Sequence, residues 1–179
     1  MSFKRINNIT GWAICIIACF VYLSTMEATG SFWDCGEFAS SAYKIQIPHP
    51  PGAPLFILMG RLFMIPFSDP NHAILGLNSM SALASAFTVL FLFWTITHFA
   101  RRIIINMHGE DLSRADIIAI IGAGIVGAGA YIFTDSFWYS AVESEVYATS
   151  AFFTALVFWA ALKWEDEVNQ EKKRGIAAQ

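Results

Sequence analysis

Four apolar stretches, residues 9–26, 73–100, 117–134 and 146–162, run without a single Asp, Glu, Lys or Arg. No other feature of the sequence constrains its fold so strongly. A hydrocarbon core about 30 Å thick takes about 20 helical residues to cross, and within it backbone polar groups must be bonded inside the segment. Each stretch therefore predicts a membrane-spanning helix, and the fold class is all-α: a polytopic integral-membrane bundle. Composition agrees, with 14% of residues charged against about 25% in an average soluble protein. There is no basic patch, and the aromatics alternate with aliphatics, so nucleic acid is excluded as a partner and membrane lipids are the expected surroundings.

Residues 51–67, "PGAPLFILMGRLFMIPF", are shorter, bracketed by prolines, and carry Arg61 near the middle. We read them as an interfacial or re-entrant helix inside an outer loop spanning 27–72. Basic residues test that choice, because cytoplasmic segments accumulate Lys and Arg. With the N-terminus (1–8) cytoplasmic, the cytoplasmic loop 101–116 and connector 163–179 complete a set of nine basic residues on that side, leaving Lys44 and Arg61 outside. A fifth span would place Lys4 and Arg5 opposite Arg101 and Arg102. The second outer loop is 135–145. Residues 1–26 are read as an uncleaved helix rather than a signal peptide, since the apolar run is long and "STMEATG" is a poor cleavage site. The ending "KWEDEVNQEKKRGIAAQ" has the composition of a connector between helices, so the chain is expected to be the N-terminal part of a longer polytopic protein.

Two motifs are set aside. Gly122, Gly124 and Gly127 spell G-x-G-x-x-G, but a dinucleotide fingerprint needs a strand before it and a soluble helix after it. In a spanning run the same letters place small residues four apart, Ala123 with Gly127 and Gly124 with Ala128, which lets helices approach closely. Cys15, Cys19 and Cys35 show neither zinc spacing nor a disulfide framework and are read as structural thiols.

The outer loops hold the chemistry-bearing residues. Asp34 and Glu37 are three apart in "WDCGEF", so on a helix they share a face, and their neighbours are mostly apolar. Two carboxylates close together in a partly dry place have their pKa values pushed apart, as acid–base chemistry requires. The prolines of "PHPPGAP" hold His49 extended in a stiff turn, where it can bind a phosphate or steady a carboxylate. Arg61 can snorkel or pair with a lipid phosphate. Glu143 and Glu145 are two apart and point differently on any helix, so at most one is expected to face the first loop. Glu145, followed by Tyr147 at the mouth of the fourth span, is the better candidate.

"WDCGEF", "HPPGAPLF" and "AVESEVYA" together resemble the N-terminal part of a bacterial family of large membrane proteins, a domain of unknown function common in Bacteroidota. That family is related to a eukaryotic transmembrane O-mannosyltransferase and resembles the GT-C glycosyltransferase superfamily. The resemblance covers roughly residues 10–165. It implies an inverting enzyme that transfers a sugar, mannose first, from a polyprenyl-phosphate donor to a hydroxyl of an acceptor protein or glycan at the outer face of the inner membrane. Asp34 is then the general base and Glu37 positions the acceptor or assists. His49, Arg61, Glu145 and Tyr147 are the substrate-binding candidates. Some members of the superfamily use a divalent metal on the leaving phosphate and others do not; both stay open, and no metal ligands are assigned. The alternatives are a transporter, which would carry charges within its spans, and a non-catalytic membrane subunit, which leaves the two outer motifs unexplained.

Overall fold

The computed structural model describes residues 2–67, 69–70 and 72–177, and these are helical wherever they are regular, with no strand among them. In chain order the helices are α1 (Phe3–Thr25), α2 (Cys35–Lys44), α3 (Pro54–Met64), α4 (Ala73–His108), α5 (Arg114–Ile132), α6 (Asp135–Val142) and α7 (Val146–Ala177). Four of them, α1, α4, α5 and α7, are long and apolar enough to cross a membrane. The chain is a polytopic helical membrane protein.

Helix ends depart from the apolar runs for local reasons. The runs mark where lipid is expected, whereas a helix continues until something stops it. α1 starts at Phe3 and so includes Lys4 and Arg5, and α4 passes Arg101 and Arg102 to end at Gly109, whose φ of 93° no helix accommodates. α5 starts at Arg114 because Ser113 and Asp116 form a capping box, each side chain bonded to the other's backbone N–H. α7 continues well past residue 162; positions 178 and 179 of the expected connector lie outside the described residues. The segment expected to be interfacial condenses to α3, which opens with Pro54 in its first turn. Its exposed Leu55, Leu58, Leu62 and Ile65 lie on one flank while Phe56, Ile57 and Met64 are buried. α2 and α6 are short helices within what the sequence offered only as loops.

α4 is the central post, with α1, α5 and α7 packed along it and α3 and α6 on its N-terminal half. One core joins α1, α4, α5 and α6 around Tyr22, Val89, Phe93 and Ile132. Gly124 makes the α4–α5 approach possible: a Cβ there would lie 2.6 Å from both Phe93 and Thr97. Gly124 and Ala128 are buried on this seam, whereas Ala123 is exposed, so one of the two small-residue pairs forms the contact and the fingerprint letters serve packing. The second core matters more for function. Phe38 and Ala42 of α2, Phe56, Ile57 and Met64 of α3, and Leu77 and Met80 of α4 form a single cluster, which fixes α2 against the start of α4.

At the far end of the bundle charges pair across helices. Arg102 reaches Glu165 at 3.0 Å and Asp166 at 3.5 Å, and Arg101 lies 5.6 Å over the Phe3 ring. At the near end the connections are polar and buried. Tyr22 donates to the Ile132 carbonyl at 3.0 Å, Asn78 donates to the Glu27 carbonyl at 2.8 Å, and the Ser144 hydroxyl donates to the Asn78 side-chain oxygen. Glu27 N–H in turn donates to the Val142 carbonyl at 3.1 Å. The ends of α1 and α6, the start of α4 and the α6–α7 turn are thereby tied at one place.

Candidate functional site

Asp34 occupies the N-cap position of α2, and its backbone carbonyl accepts from Phe38 N–H at 2.9 Å. Its carboxylate makes no capping bond, so it is left for other work. It extends toward His49, with Oδ2 3.8 Å from Nε2, beyond hydrogen-bond reach but close enough to interact electrostatically. Glu37, one turn along, is committed to the same histidine. One carboxylate oxygen accepts from His49 N–H at 2.7 Å and the other meets Nδ1 at 2.8 Å. Both Glu37 oxygens are thus taken by a residue twelve positions away, and its visible task is to fix His49.

His49 is placed from below as well. Buried Phe38 packs 5.9 Å from the imidazole and 5.3 Å from Phe56. The turn that follows closes with Gly52 N–H donating to the His49 carbonyl at 2.9 Å, through a cis Pro50–Pro51 bond. The three side chains are less dry than their apolar neighbours suggested: Asp34 is 53% exposed, His49 46% and Glu37 41%. Two apolar neighbours turn inward, Phe38 to the second core and Cys35 to the second connecting segment, while the polar flank of α2 and Trp33 face out.

The second connecting segment corrects the expectation that only one of Glu143 and Glu145 faces the first. Cys35, fully buried, has its thiol 3.6 Å from Glu145 Oε1 and 3.9 Å from Glu143 Oε2. The reason is backbone conformation. Glu143 is extended, with φ −121° and ψ 162°, and the chain then turns tightly at Ser144, where Glu145 N–H donates to the Glu143 carbonyl at 3.0 Å. Ser144, between them, turns inward to Asn78. The helical geometry assumed for the pair begins only at Val146. Asn78 and Ser144 are the site-building residues that sequence reasoning missed; a lone Asn inside an otherwise apolar spanning run was the available signal.

Electrostatics follow from this placement. The Glu37 carboxylate holds the His49 imidazole above its ordinary value of 6.5, with Asp34 and Glu145 adding to the effect, and His49 holds Glu37 below its ordinary 4.5. Burial raises the Glu145 carboxyl; the Cys35 contact opposes this, and Asp34 and Glu143 repel the charge further. Burial, then the charges of Glu145 and Glu143, push the Cys35 thiol up to about 12, so it is a neutral donor at any working pH.

The Glu37–His49 pair gives a pH prediction with a definite sign. A raised histidine stabilises below the unfolded histidine value and loses that contribution as pH rises through its folded pKa; a lowered carboxylate stabilises above the unfolded value and loses it as pH falls through its folded pKa. The pair is therefore complete between the ordinary values of 4.5 and 6.5 and fades on either side. In a Glu37→Gln protein the His49 imidazole proton resonance, followed by NMR in detergent, is expected to titrate at lower pH than in the wild type. An unchanged midpoint would remove Glu37 from its assigned role.

Arg61 and Tyr147 take different places. The Arg61 guanidinium lies 5.2 Å over the Tyr43 ring of α2, engaged there and not with the acids. Tyr147 joins Asp34, Glu143 and Glu145 around a cavity of about 270 Å³.

Fold and site together define a polytopic helical membrane protein with a carboxylate–histidine cluster at one end of its bundle. The family described as the Protein O-mannosyl-transferase TMEM260 N-terminal domain matches residues 34–178, and the chain belongs to that family. It is 24% identical over 160 residues to the protein O-mannosyl-transferase TMEM260 of Mus musculus, covering 88% of this chain and 20% of the relative. It is also 24% identical over 152 residues to the Dictyostelium discoideum protein of the same name, covering 81% of this chain and 16% of the relative. The chain therefore spans a fifth or less of the length of these curated relatives. No solved structure matches it.

Proposed function

We propose that this chain is a site-bearing part of an inverting membrane glycosyltransferase of the GT-C type. The enzyme moves mannose from a polyprenyl-phosphate donor to a hydroxyl of a protein at the outer face of the inner membrane, with the N-terminus of α1 in the cytoplasm. The observation that carries the reading is the setting of Asp34. Its carboxylate is uncommitted to the helix cap, stands beside a histidine fixed by Glu37, and borders a cavity at the end of the spanning helices. The reactive carbon of a lipid-linked sugar lies just above its lipid tail, so a base at that depth meets it.

In this reading Asp34 takes the proton of the acceptor hydroxyl as its oxygen attacks the sugar's anomeric carbon from the face opposite the phosphate. The carbon–oxygen bond to phosphate breaks, the electron pair leaves on the phosphate, and the configuration inverts. Glu37 keeps His49 protonated and aimed, so Nε2–H faces the reaction as a charge-assisted donor for the leaving phosphate. Arg61 contributes positive charge on the same end, where it attracts a lipid phosphate.

A divalent cation also fits this place. Asp34, Glu37 and His49 offer ligand atoms within 4.8 Å of one another, and Glu37 already holds Nδ1 as carboxylates hold ligating histidines. Asp34 and the neutral form of His49, through Nε2, would hold the ion in place of the Nε2–H donor, and its chemistry would be to neutralise charge on the leaving phosphate.

The test uses the intact protein in liposomes with labelled polyprenyl-phosphate mannose and a hydroxyl-bearing acceptor. Label on protein or peptide is the expected result. A folded protein that transfers from no polyprenyl donor would bring the transporter reading forward.

A further inference from the structure

Two cavities share the walls Tyr139 and Glu143, and the chemistry above uses only the rim of the one that Asp34 lines. The first, of about 270 Å³, is lined by Trp33 and Asp34 of the first segment, by Tyr139, Glu143 and Glu145 of the second, and by Tyr147 at the start of α7. The second, of about 360 Å³, shares Tyr139 and Glu143 and continues to Glu27 and Asp135. Among the described residues neither wall contains a Lys, Arg or His.

The aromatic rings of the first cavity stand uncovered. Trp33 is 93% exposed, Tyr139 64% and Tyr147 65%. Trp33 also holds φ at 61°, a left-handed backbone that a bulky residue rarely adopts. No packing of its own accounts for that position, which is the pattern of a residue held for contact with something else. Flat apolar faces beside carboxylates suit a polypeptide, whose apolar stems and amide planes lie on rings while its polar groups find acceptors.

We propose that the two cavities form the acceptor subsite: a track for a neutral-to-basic polypeptide segment that presents a Ser or Thr hydroxyl to Asp34. The inference rests on the transferase reading of Asp34. In-line displacement puts the acceptor on the base's side of the reacting carbon and the leaving phosphate on the other, so what fills the space beside Asp34 is acceptor. Charge agrees. A phosphate lodged in these cavities would face Glu143 and Glu145, with Glu27 and Asp135 beyond, and no cationic lining residue, whereas Lys or Arg flanking the acceptor hydroxyl would be drawn in. The continuation past Tyr139 gives an extended chain room to pass through, which a single sugar ring does not need.

The test compares Thr peptides flanked by Lys, by neutral residues and by Glu, with the intact protein in nanodiscs and saturating polyprenyl-phosphate mannose. The wild type should prefer Lys-flanked over Glu-flanked peptide. Glu143→Gln, nearly isosteric, should narrow that preference, and Tyr139→Ala should raise the peptide KM roughly tenfold with donor KM unchanged. A raised donor KM with unchanged peptide KM would hand the cavities to the donor and overturn the proposal. Direct binding of a fluorescent Lys-flanked peptide without donor separates the two readings. Glu143-dependent binding by a protein that transfers nothing supports the track and sinks the transferase; binding and KM indifferent to both Glu143→Gln and Tyr139→Ala sink the track.

Discussion

Asp34→Asn is expected to leave donor binding intact and to slow sugar transfer by about 10²–10⁴-fold, the range general-base removal costs. The amide keeps the size of the carboxylate but cannot take a proton. Folding should be little disturbed, because the side chain makes no capping bond and the first-turn contact of α2 runs through the Asp34 backbone carbonyl. Initial rates at saturating donor, with donor affinity from labelled-lipid binding, separate chemistry from binding. A mutant as fast as wild type would take the base role from Asp34 and make His49, whose Nε2 faces the same space, the next residue to replace. Glu37→Gln should be milder, since Glu37 acts through His49.

Among the glycines of the described residues, Gly76→Ala is expected to be the most damaging change to alanine. A Cβ at Gly76 would lie 2.4 Å from the Phe63 carbonyl oxygen and 2.9 Å from Met64 Cα. Both are backbone atoms of α3, so no side-chain rotation relieves the overlap, and α3 must move off α4. Overpacking of this kind costs about 1–3 kcal/mol and occasionally more. The consequence reaches the site, because α2 rests on α3 and α4 through the core of Phe38, Phe56, Leu77 and Met80. Displacing α3 displaces Phe38, and with it the floor under His49. Thermal melting in detergent should show a clear drop for Gly76→Ala and none for Gly122→Ala, where an added Cβ meets nothing within 4 Å. Equal melting of the two variants would contradict the tight α3–α4 seam.

The Cys35 arrangement marks the boundary of what the sequence discloses. From the sequence Cys35 was readable as a structural thiol. That its thiol lies between two glutamates 108 and 110 positions away was not, because nothing local encodes a contact between two connecting segments. The error over Glu143 and Glu145 has the same origin. Whether residues two apart diverge or align depends on the backbone between them, and here Ser144 is drawn inward by Asn78, a residue of another helix. Exposure of the Asp34 cluster was misjudged because composition reports which residues are apolar but not which flank of α2 meets the core.

The spanning helices, by contrast, were decided by the sequence alone. Lipid offers backbone groups no hydrogen-bonding partner, so an uncharged apolar run of spanning length has one stable form irrespective of its neighbours. The sequence likewise determined that Asp34, Glu37 and His49 would lie in one connecting segment between spans. Only the tertiary structure decided that Glu37 would clamp His49, that α6 would bring Tyr139 and Glu143 to Asp34, and that two cavities would share those residues as walls. Those contacts depend on how α2, α3 and α6 seat on α4, and that seating is set by the close approach at Gly76 and by the buried Asn78 network, which exist only once distant segments have packed together.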